Sequence, residues 1–273
     1  MFSPYYARAR RLGGGVADAT NHVALNLSLY GRGRKLWCMT ERGRHRLRAL
    51  STELQIGTSV LNWQHDSLNI DIDEVAVPWP TPLRGKLRVF PQMGLAQPYA
   101  LDAGSRHHWR PIAPRARIEV DLPRPGLRWH GEAYLDSNYG DVPLENDFER
   151  WDWSRASLTG RRSAVLYDVT WRGGDALGLA LHFDAKGRTQ AFDAPSEVSL
   201  PPTLWRLARR TRSDAVASVQ RTFEDGPFYT RSLLRSHLLG EPVTAMHESL
   251  SLRRFAAPWV QAMLPFRMPR RAT

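Results

Sequence analysis

The sequence predicts a mostly antiparallel β protein, built as barrels or sandwiches, and three observations lead to this fold class. Apolar and polar residues alternate with a period of two along many segments, as in strands that bury one face. Turn-forming residues such as Gly173-Gly174 and Lys186-Gly187 separate these segments. Nineteen prolines among 273 residues argue against long helices.

The alternating segments define the predicted strands in order along the chain. Their apolar faces are Leu25, Leu27 and Leu29; Leu68, Ile70 and Ile72; Ala116, Ile118, Val120 and Leu122; Val165, Tyr167, Val169 and Trp171; and Leu177, Leu179, Leu181 and Phe183. A short turn is expected within residues 41–50. A short helix is expected within residues 255–264, where prolines bound a helical pattern.

The length and a polar stretch in mid-chain predict two domains. A chain of 273 residues suits one large domain or two of ordinary size. Residues 137–150 are the most polar and turn-rich stretch near the middle, and they lie between the predicted strands 131–136 and 151–158. We therefore expect an N-terminal domain over residues 1–146 and a C-terminal domain over residues 147–273. Because no flexible linker separates them, we expect the two to share a packed interface.

Composition excludes several classes of protein. With 42% hydrophobic and 24% charged residues, the chain is typical of globular proteins. The single cysteine, Cys38, excludes a disulfide framework and a cysteine-based metal cluster, and we expect it to be packed in a core. No apolar run approaches the roughly 20 residues of a membrane-spanning helix. The net charge of +11 is spread along the chain, which suits a soluble basic protein or one with anionic partners.

The densest cluster of polar and aromatic residues includes Asp136. In a strand, Tyr134 and Asp136 share a face, as do Trp151 and Trp153. A carboxyl group buried among aromatic rings is costly to ionise, so it tends to keep its proton. A neutral acid is what proton donation to a weak base requires. The alternative is that Asp136 merely caps the turn after its strand.

A second candidate group lies at residues 106–109. His107 and Trp109 share a strand face, whereas His107 and His108 point to opposite faces and do not form a chelating pair. The alternative is a core tryptophan with a hydrogen-bonded histidine. The nine histidines show no metal-binding spacing, and no phosphate-binding glycine loop or nucleophile elbow occurs. We therefore predict neither a metal nor an organic cofactor.

The C-terminal segment combines apolar and basic residues. Trp259, Met263 and Phe266 are spaced as on one side of a helix, and arginines stand at both ends of the segment. This pattern suits a helix in a membrane interface, with tryptophan at the depth of the headgroups. It suits a helix packed against a core equally well.

Seven segments are long and specific enough to compare with known families. They are FSPYYA (2–7), MTERG (39–43), IDIDE (70–74), WRPIAP (109–114), YLDSNYG (134–140) with PLE (143–145), WDWSRA (151–156) and PWVQAMLPFRMP (258–269). In this order, over nearly the whole chain, they resemble the carotenoid 1,2-hydratases, also called hydroxyneurosporene synthases. The resemblance implies an all-β fold of two lipocalin-like antiparallel β-barrel domains, packed together, with few short helices. Family members usually carry a further strand-rich stretch before the first segment, so the resemblance implies one of two things: either the start of this sequence is wrongly placed, or the first domain lacks its first strands.

The resemblance also implies an activity, the cofactor-independent addition of water across the terminal C1=C2 bond of acyclic carotenoids such as neurosporene and lycopene. The acid mechanism runs through a tertiary carbocation. The implied catalytic residues are Asp136, His107, Trp109 and Tyr134, with His107 fitting the spacing better than His108. The predicted substrate-binding residues, from the same motifs, are Asn138, Trp151, Trp153 and Arg155.

An acyclic carotenoid is the expected partner, and it dissolves in membranes. We therefore expect a cytoplasmic protein in contact with the anionic inner, photosynthetic membrane of a bacterium, with neither nucleic acid nor an obligate protein partner. Two alternatives share the fold: a pericyclase or isomerase acting on another polyene, and a non-catalytic carotenoid-binding protein. A nucleic-acid-binding barrel is disfavoured because the aromatic residues cluster around acids, which repel phosphate.

Overall fold

The computed structural model describes residues 2–31, 35–92 and 97–271, which divide into two compact units. Unit 1 consists of Met1–Pro91, Ala116–Ala133 and Gln261–Thr273, and unit 2 consists of Gln92–Arg115 and Tyr134–Val260. Both are discontinuous in sequence, because two long strands have one half in each unit. This division differs from the sequential boundary at residue 146, which stays a prediction about domains.

The first 140 residues are mostly strands. Helix α1 (Pro4–Leu12) precedes β1 (Val23–Tyr30), β2 (Lys35–Arg42), β3 (Leu47–Ala49), β4 (Glu53–Ile56), β5 (Ser59–Gln64), β6 (Ser67–Val75), β7 (Pro82–Pro91), β8 (Tyr99–Ala100), β9 (His107–Arg124) and β10 (Leu127–Gly140). The alternation pattern did not predict α1. It begins because the Ser3 hydroxyl accepts a hydrogen bond from the Tyr6 N–H at 2.9 Å and Pro4 suits a first turn.

The remaining residues again form mainly strands, with three short helices. In chain order the elements are α2 (Leu144–Asp147), β11 (Phe148–Leu158), β12 (Arg162–Trp171), β13 (Ala176–Phe183), β14 (Thr189–Ala191), β15 (Glu197–Leu200), β16 (Arg209–Arg212), β17 (Ser218–Asp225), β18 (Tyr229–Leu238), β19 (Glu241–Ser251), α3 (Leu252–Phe255), α4 (Pro258–Met263) and β20 (Arg270–Arg271). Short 3₁₀ turns lie at Ala19–Asn21, Arg44–Arg46 and Leu264–Phe266.

Unit 1 is built on the sheet order β10-β9-β7-β6-β5-β4-β3, beside a small sheet of β1, β2 and β20. Its core joins the apolar faces of several of these strands. The buried members are Leu25, Cys38, Ile72, Ala76, Leu83, Val120 and Leu122. Cys38 is fully buried, as expected, and burial raises the pKa of its thiol to about 12.

A buried carboxylate links the two ends of the chain within unit 1. Glu41 on β2 accepts hydrogen bonds from the Ser3 hydroxyl and the Arg270 guanidinium, and it pairs with His22 at 2.9 Å. Strand β20 runs parallel to β2, with Arg270 beside Glu41. Removing Arg270 would leave a buried carboxylate without its guanidinium, so Arg270 and strand β20 that carries it have a structural role.

Unit 2 is built on a seven-stranded antiparallel sheet, ordered β14-β13-β12-β11-β19-β18-β17, with the hairpin of β15 and β16. Alternation along its central strands gives this sheet two different faces. One face carries the apolar core of Ala156, Leu158, Ala164, Leu166, Ala180, Leu238, Val243 and Ala245. The opposite face carries Trp153, with Tyr167 of β12 and Glu248 of β19 directly opposite it. We call this second face the aromatic face.

The predicted strands are confirmed, because each alternating segment lies inside β1, β6, β9, β12 or β13. The predicted turn is the 3₁₀ turn Arg44–Arg46, and the predicted C-terminal helix is α4 with the turn that follows it. Within the described ranges, no helix is long and apolar enough to cross a membrane.

Candidate active site

Asp136 lies inside β10, four residues before the strand ends, so it is not a turn cap. Its Oδ2 accepts one hydrogen bond from Trp109 Nε1 at 2.8 Å and another from the Tyr134 hydroxyl at 3.0 Å. Both donors are neutral groups on aromatic rings. The carboxyl group is therefore partly buried and held by ring donors, and all three residues belong to unit 2.

The surroundings of Asp136 favour its neutral form. Burial raises the pKa of Asp136, and the negative charge of Glu248 adds to the rise. The hydrogen bonds from Trp109 and Tyr134 act in the opposite direction without reversing the shift. Burial, followed by the charge of Asp136, also raises the pKa of Tyr134 well above its usual value, so its hydroxyl keeps the proton that it donates.

Aromatic rings from four strands, β9, β10, β11 and β12, cluster around the carboxyl group. The Trp109 side chain is fully buried, and its ring centroid lies 5.2 Å from that of Tyr167. The Tyr134 ring lies 5.3 Å from Trp153, and the Trp151 ring lies 6.0 Å from Tyr167. The structure thus brings both predicted tryptophans of β11 into one cluster with Asp136.

The two remaining predicted substrate-binding residues, Asn138 and Arg155, differ in their contacts. Asn138 is exposed, and its Oδ1 accepts a hydrogen bond of 2.9 Å from the hydroxyl of the buried Tyr167. Arg155 donates to the Pro114 carbonyl at 3.2 Å and to the Ser157 hydroxyl at 2.8 Å. Asn138 therefore contacts the aromatic cluster through Tyr167, whereas these two bonds of Arg155 go to Pro114 of β9 and to Ser157 of its own strand, β11.

His107 has other partners than the carboxyl group of Asp136. Its Nε2 lies 2.7 Å from Asp147 Oδ2, and its ring packs against Phe148 at 4.6 Å. The neighbouring His108 stacks on Tyr139 instead. In the part of the chain that the structure describes, no three histidine, cysteine, aspartate or glutamate side chains are grouped as metal ligands. The catalytic role of His107 stays a prediction.

Two residues of the site were not singled out from the sequence, Tyr167 and Glu248. Glu248 pairs with Arg231 of β18, with Nε at 2.8 Å and Nη2 at 2.6 Å from Oε1. The sequence did contain a signal for Glu248. In β19 it shares a face with Met246 and Leu250, so it is an acid on a partly apolar strand face. That pattern did not show which residues would lie opposite it.

Comparison with known proteins identifies the family. A family model described as carotenoid hydratase CrtC matches residues 1–273, which is the whole chain. The chain belongs to the carotenoid hydratase family. The resemblance of the seven sequence segments to this family is thereby confirmed.

Three curated relatives of this carotenoid hydratase family member are named acyclic carotenoid 1,2-hydratase. The protein of Thiocapsa roseopersicina is 52% identical over 273 residues, which cover 99% of this chain and 67% of the relative. That of Rubrivivax gelatinosus is 49% identical and covers 100% of this chain and 68% of the relative. That of Cereibacter sphaeroides is 36% identical, over 99% of this chain and 95% of the relative.

A solved structure has a fold similar to that of this family member. A Nitrosomonas europaea crystal structure, assigned only provisionally as AttH, aligns with a TM-score of 0.63 over 84% of this chain and 80% of that chain. At 12% identity this similarity concerns the fold alone. Together with the antiparallel sheets, it confirms the predicted all-β, lipocalin-like class.

Proposed function

We propose that this protein is an acyclic carotenoid 1,2-hydratase of carotenoid biosynthesis, which adds water across the terminal C1=C2 bond of neurosporene, lycopene or their derivatives by acid catalysis. The hydratase names of relatives that align along the whole chain support the activity. The observation that carries the mechanism is the carboxyl group of Asp136, whose raised pKa favours the neutral acid among aromatic rings.

The first step of the proposed mechanism is protonation of C2. An isolated alkene is a very weak base, so the donor must be a neutral acid in a site that excludes water. Because Oδ2 of Asp136 accepts both ring hydrogen bonds, we assign the acid proton to Oδ1. The O–H bond of Asp136 breaks, the π electrons form the new C2–H bond, and C1 becomes a tertiary cation.

The aromatic rings have the next role, which is to stabilise the cation at C1. Trp109 and Tyr134 donate hydrogen bonds to Asp136, and the Trp153 ring lies 5.3 Å from the Tyr134 ring, so we assign this role to the faces of these three rings. A cation over an aromatic face is stabilised by roughly 0.5–2 kcal/mol per ring. Trp151 and Tyr167 extend this apolar surface along the polyene, and Asn138 contacts it through the Tyr167 hydroxyl. Arg155, two residues beyond Trp153 on β11, is the remaining residue that we assign to substrate binding.

Water then adds at C1 and gives a tertiary alcohol. The substrate is neither oxidised nor reduced overall. The proposal therefore needs no redox cofactor. We assign His107 a positioning role. It lies two residues before Trp109 on β9, and its contact with Asp147 at 2.7 Å would hold the strand that carries Trp109.

Incubation with carotenoid tests this proposal against both alternatives. The protein is mixed with neurosporene or lycopene in lipid vesicles without added cofactor, and the products are separated by chromatography with mass detection. We expect a product heavier by the mass of one water, because hydration retains every substrate atom. An isomer of unchanged mass indicates the isomerase, and unchanged pigment that copurifies with the protein indicates the carrier. Either result contradicts the hydratase.

We also propose that the protein contacts an anionic bacterial membrane from the cytoplasmic side. In unit 2, Trp205 and Trp259 are 41% and 48% exposed and stack with ring centroids 6.2 Å apart, beside Leu204, which is 96% exposed. Arg254 donates to the carbonyl oxygens of Trp205 at 2.7 Å and Arg206 at 3.0 Å, which holds this loop in place. Exposed tryptophans with arginines nearby suit the interface of an anionic bilayer.

The double substitution Trp205→Ser and Trp259→Ser tests this membrane contact. We expect binding to phosphatidylglycerol vesicles, measured by co-sedimentation, to weaken about tenfold or more, a loss of about 1.4 kcal/mol. Trp79→Ser is the matched control, because Trp79 is 82% exposed in unit 1. Equal binding by all three proteins would contradict the proposal. Deletion of residues 258–273 is not a suitable test of membrane contact. It would also remove Arg270, the partner of the buried Glu41, and so would disturb the fold.

A further inference from the structure

Glu248 is an acid on the aromatic face that the mechanism above does not use. It stands directly opposite Trp153 in the pairing of β11 with β19, and Trp153 stands directly opposite Tyr167 in the pairing of β11 with β12. Side chains directly opposite in antiparallel strands share a face, with Cβ atoms roughly 4.5–5.5 Å apart. Glu248 therefore lies beside the rings that surround Asp136.

The indole N–H of Trp153 is a second unused group on this face. Trp153 Nε1 is buried, and within the described ranges it has no hydrogen-bond partner. A buried donor without an acceptor is costly, so such an atom commonly marks the place of a water molecule or a ligand oxygen. The residue directly opposite Trp153 in the pairing of β11 with β19 is Glu248. An ionised carboxylate accepts a proton or a hydrogen bond and has no proton to donate.

The surroundings of the two carboxyl groups differ in a way that suits opposite tasks. Asp136 is held by the neutral donors Trp109 and Tyr134. Glu248 is paired with the charged guanidinium of Arg231, whose Nη2 lies 2.6 Å from Oε1. Two carboxyl groups in such unlike surroundings commonly divide acid and base roles between them.

We propose that Glu248 is the catalytic base that takes the proton from the attacking water, while Trp153 Nε1 donates a hydrogen bond to the oxygen of that water. This inference rests on the proposed hydration and assigns its second step. The water oxygen forms the C–O bond to C1 with a lone pair, one water O–H bond breaks, and its proton goes to the Glu248 carboxylate. Glu248 then returns this proton through solvent to Asp136, which lost its own to C2. The sum of the steps is substrate plus one water.

The test is Glu248→Gln assayed in D2O, because this separates protonation of the alkene from attack by water. The acid proton of Asp136 exchanges with solvent, so each protonation places deuterium on C2 even when water fails to add and the cation reverts to an alkene. We expect hydration to fall about 100-fold or more, as on loss of a general base. Recovered carotenoid should still gain deuterium, measured by mass spectrometry.

Three variants act as controls for this test. Glu241→Gln is the matched control, because Glu241 lies on the same strand and pairs with Arg162 at 2.6 Å, and it should leave hydration unchanged. Trp153→Phe keeps an aromatic ring and removes the N–H, so it should lower hydration about tenfold while deuterium uptake continues. It tests the inference independently if Glu248→Gln does not fold, as checked by circular dichroism. Asp136→Asn should lose both hydration and deuterium uptake.

Two results would overturn the assignment of Glu248. Hydration by a folded Glu248→Gln within threefold of the wild type would show that no base is needed there. Joint loss of hydration and deuterium uptake would show that Glu248 supports the acid or the fold instead. Failure of the proposed function is distinguishable from both, because then the wild-type protein itself would give no hydrated product.

Discussion

Asp136→Asn should abolish hydration and leave the fold intact. General acid catalysis typically contributes 10²–10⁴-fold, and we expect a loss at the upper end of this range because an alkene offers no other route to protonation. The amide oxygen of Asn can still accept the hydrogen bonds from Trp109 and Tyr134, so the packing around position 136 should persist. Carotenoid conversion followed by chromatography measures the loss, and circular dichroism checks the fold.

The matched control for this variant is Asp121→Asn. Asp121 is a half-exposed aspartate of unit 1, paired with Arg128 at 2.7 Å, and its loss should leave activity unchanged. An Asp136→Asn protein that retains activity within about tenfold, a barrier change of only about 1.4 kcal/mol, would remove Asp136 as the proton source.

The same variant should show a characteristic dependence of stability on pH. Because the pKa of Asp136 is raised in the folded state, folding favours its protonated form. The stability that this provides is fully present below the unfolded pKa and is lost as the pH rises through the folded pKa. Asp136→Asn should therefore gain stability relative to the wild type as the pH rises through this range, measured by urea unfolding at several pH values. A difference that is constant with pH would contradict the raised pKa.

Trp109→Ala should destabilise the protein by about 3–5 kcal/mol, as is usual for removing a buried tryptophan. The ring is fully buried, packs against Tyr99 at 5.7 Å and Tyr167 at 5.2 Å, and donates to Asp136. Trp109→Phe should retain most of this packing but remove the hydrogen bond. Since that bond lowers the pKa of Asp136, the Phe variant should have a still higher pKa at Asp136, a weaker acid and slower hydration.

Urea unfolding and hydration rates separate these two effects of Trp109. Trp129→Ala is the control, because Trp129 is 47% exposed and its loss should change the stability within about 0.5 kcal/mol. If the Phe variant hydrates as fast as the wild type, the indole N–H has no part in holding the acid. If the Ala variant is as stable as the wild type, the ring is not a core element of unit 2.

The sequence predicted the strands because alternation is a local property that each segment carries by itself. For the same reason it predicted that Tyr134 and Asp136 share a face, and the structure joins them by a hydrogen bond. The sequence also held a signal for the start of α1, because Ser3 followed by Pro4 is typical of the beginning of a helix. The search for alternation did not detect this capping signal. The tail was compatible with a buried or an exposed helix, and α4 combines both, with Val260 buried and Trp259 half-exposed.

By itself, then, the sequence determined the all-β class, the family and an acid at position 136 between aromatic residues. Only the tertiary structure decided which distant side chains meet that acid. Trp109 reaches Asp136 from another strand, His107 turns to Asp147, and Glu248 faces Trp153 from almost one hundred residues further along the chain. The physical reason is that strand register depends on packing between segments far apart in sequence, so a local pattern shows which face a residue occupies but not its neighbour across the sheet.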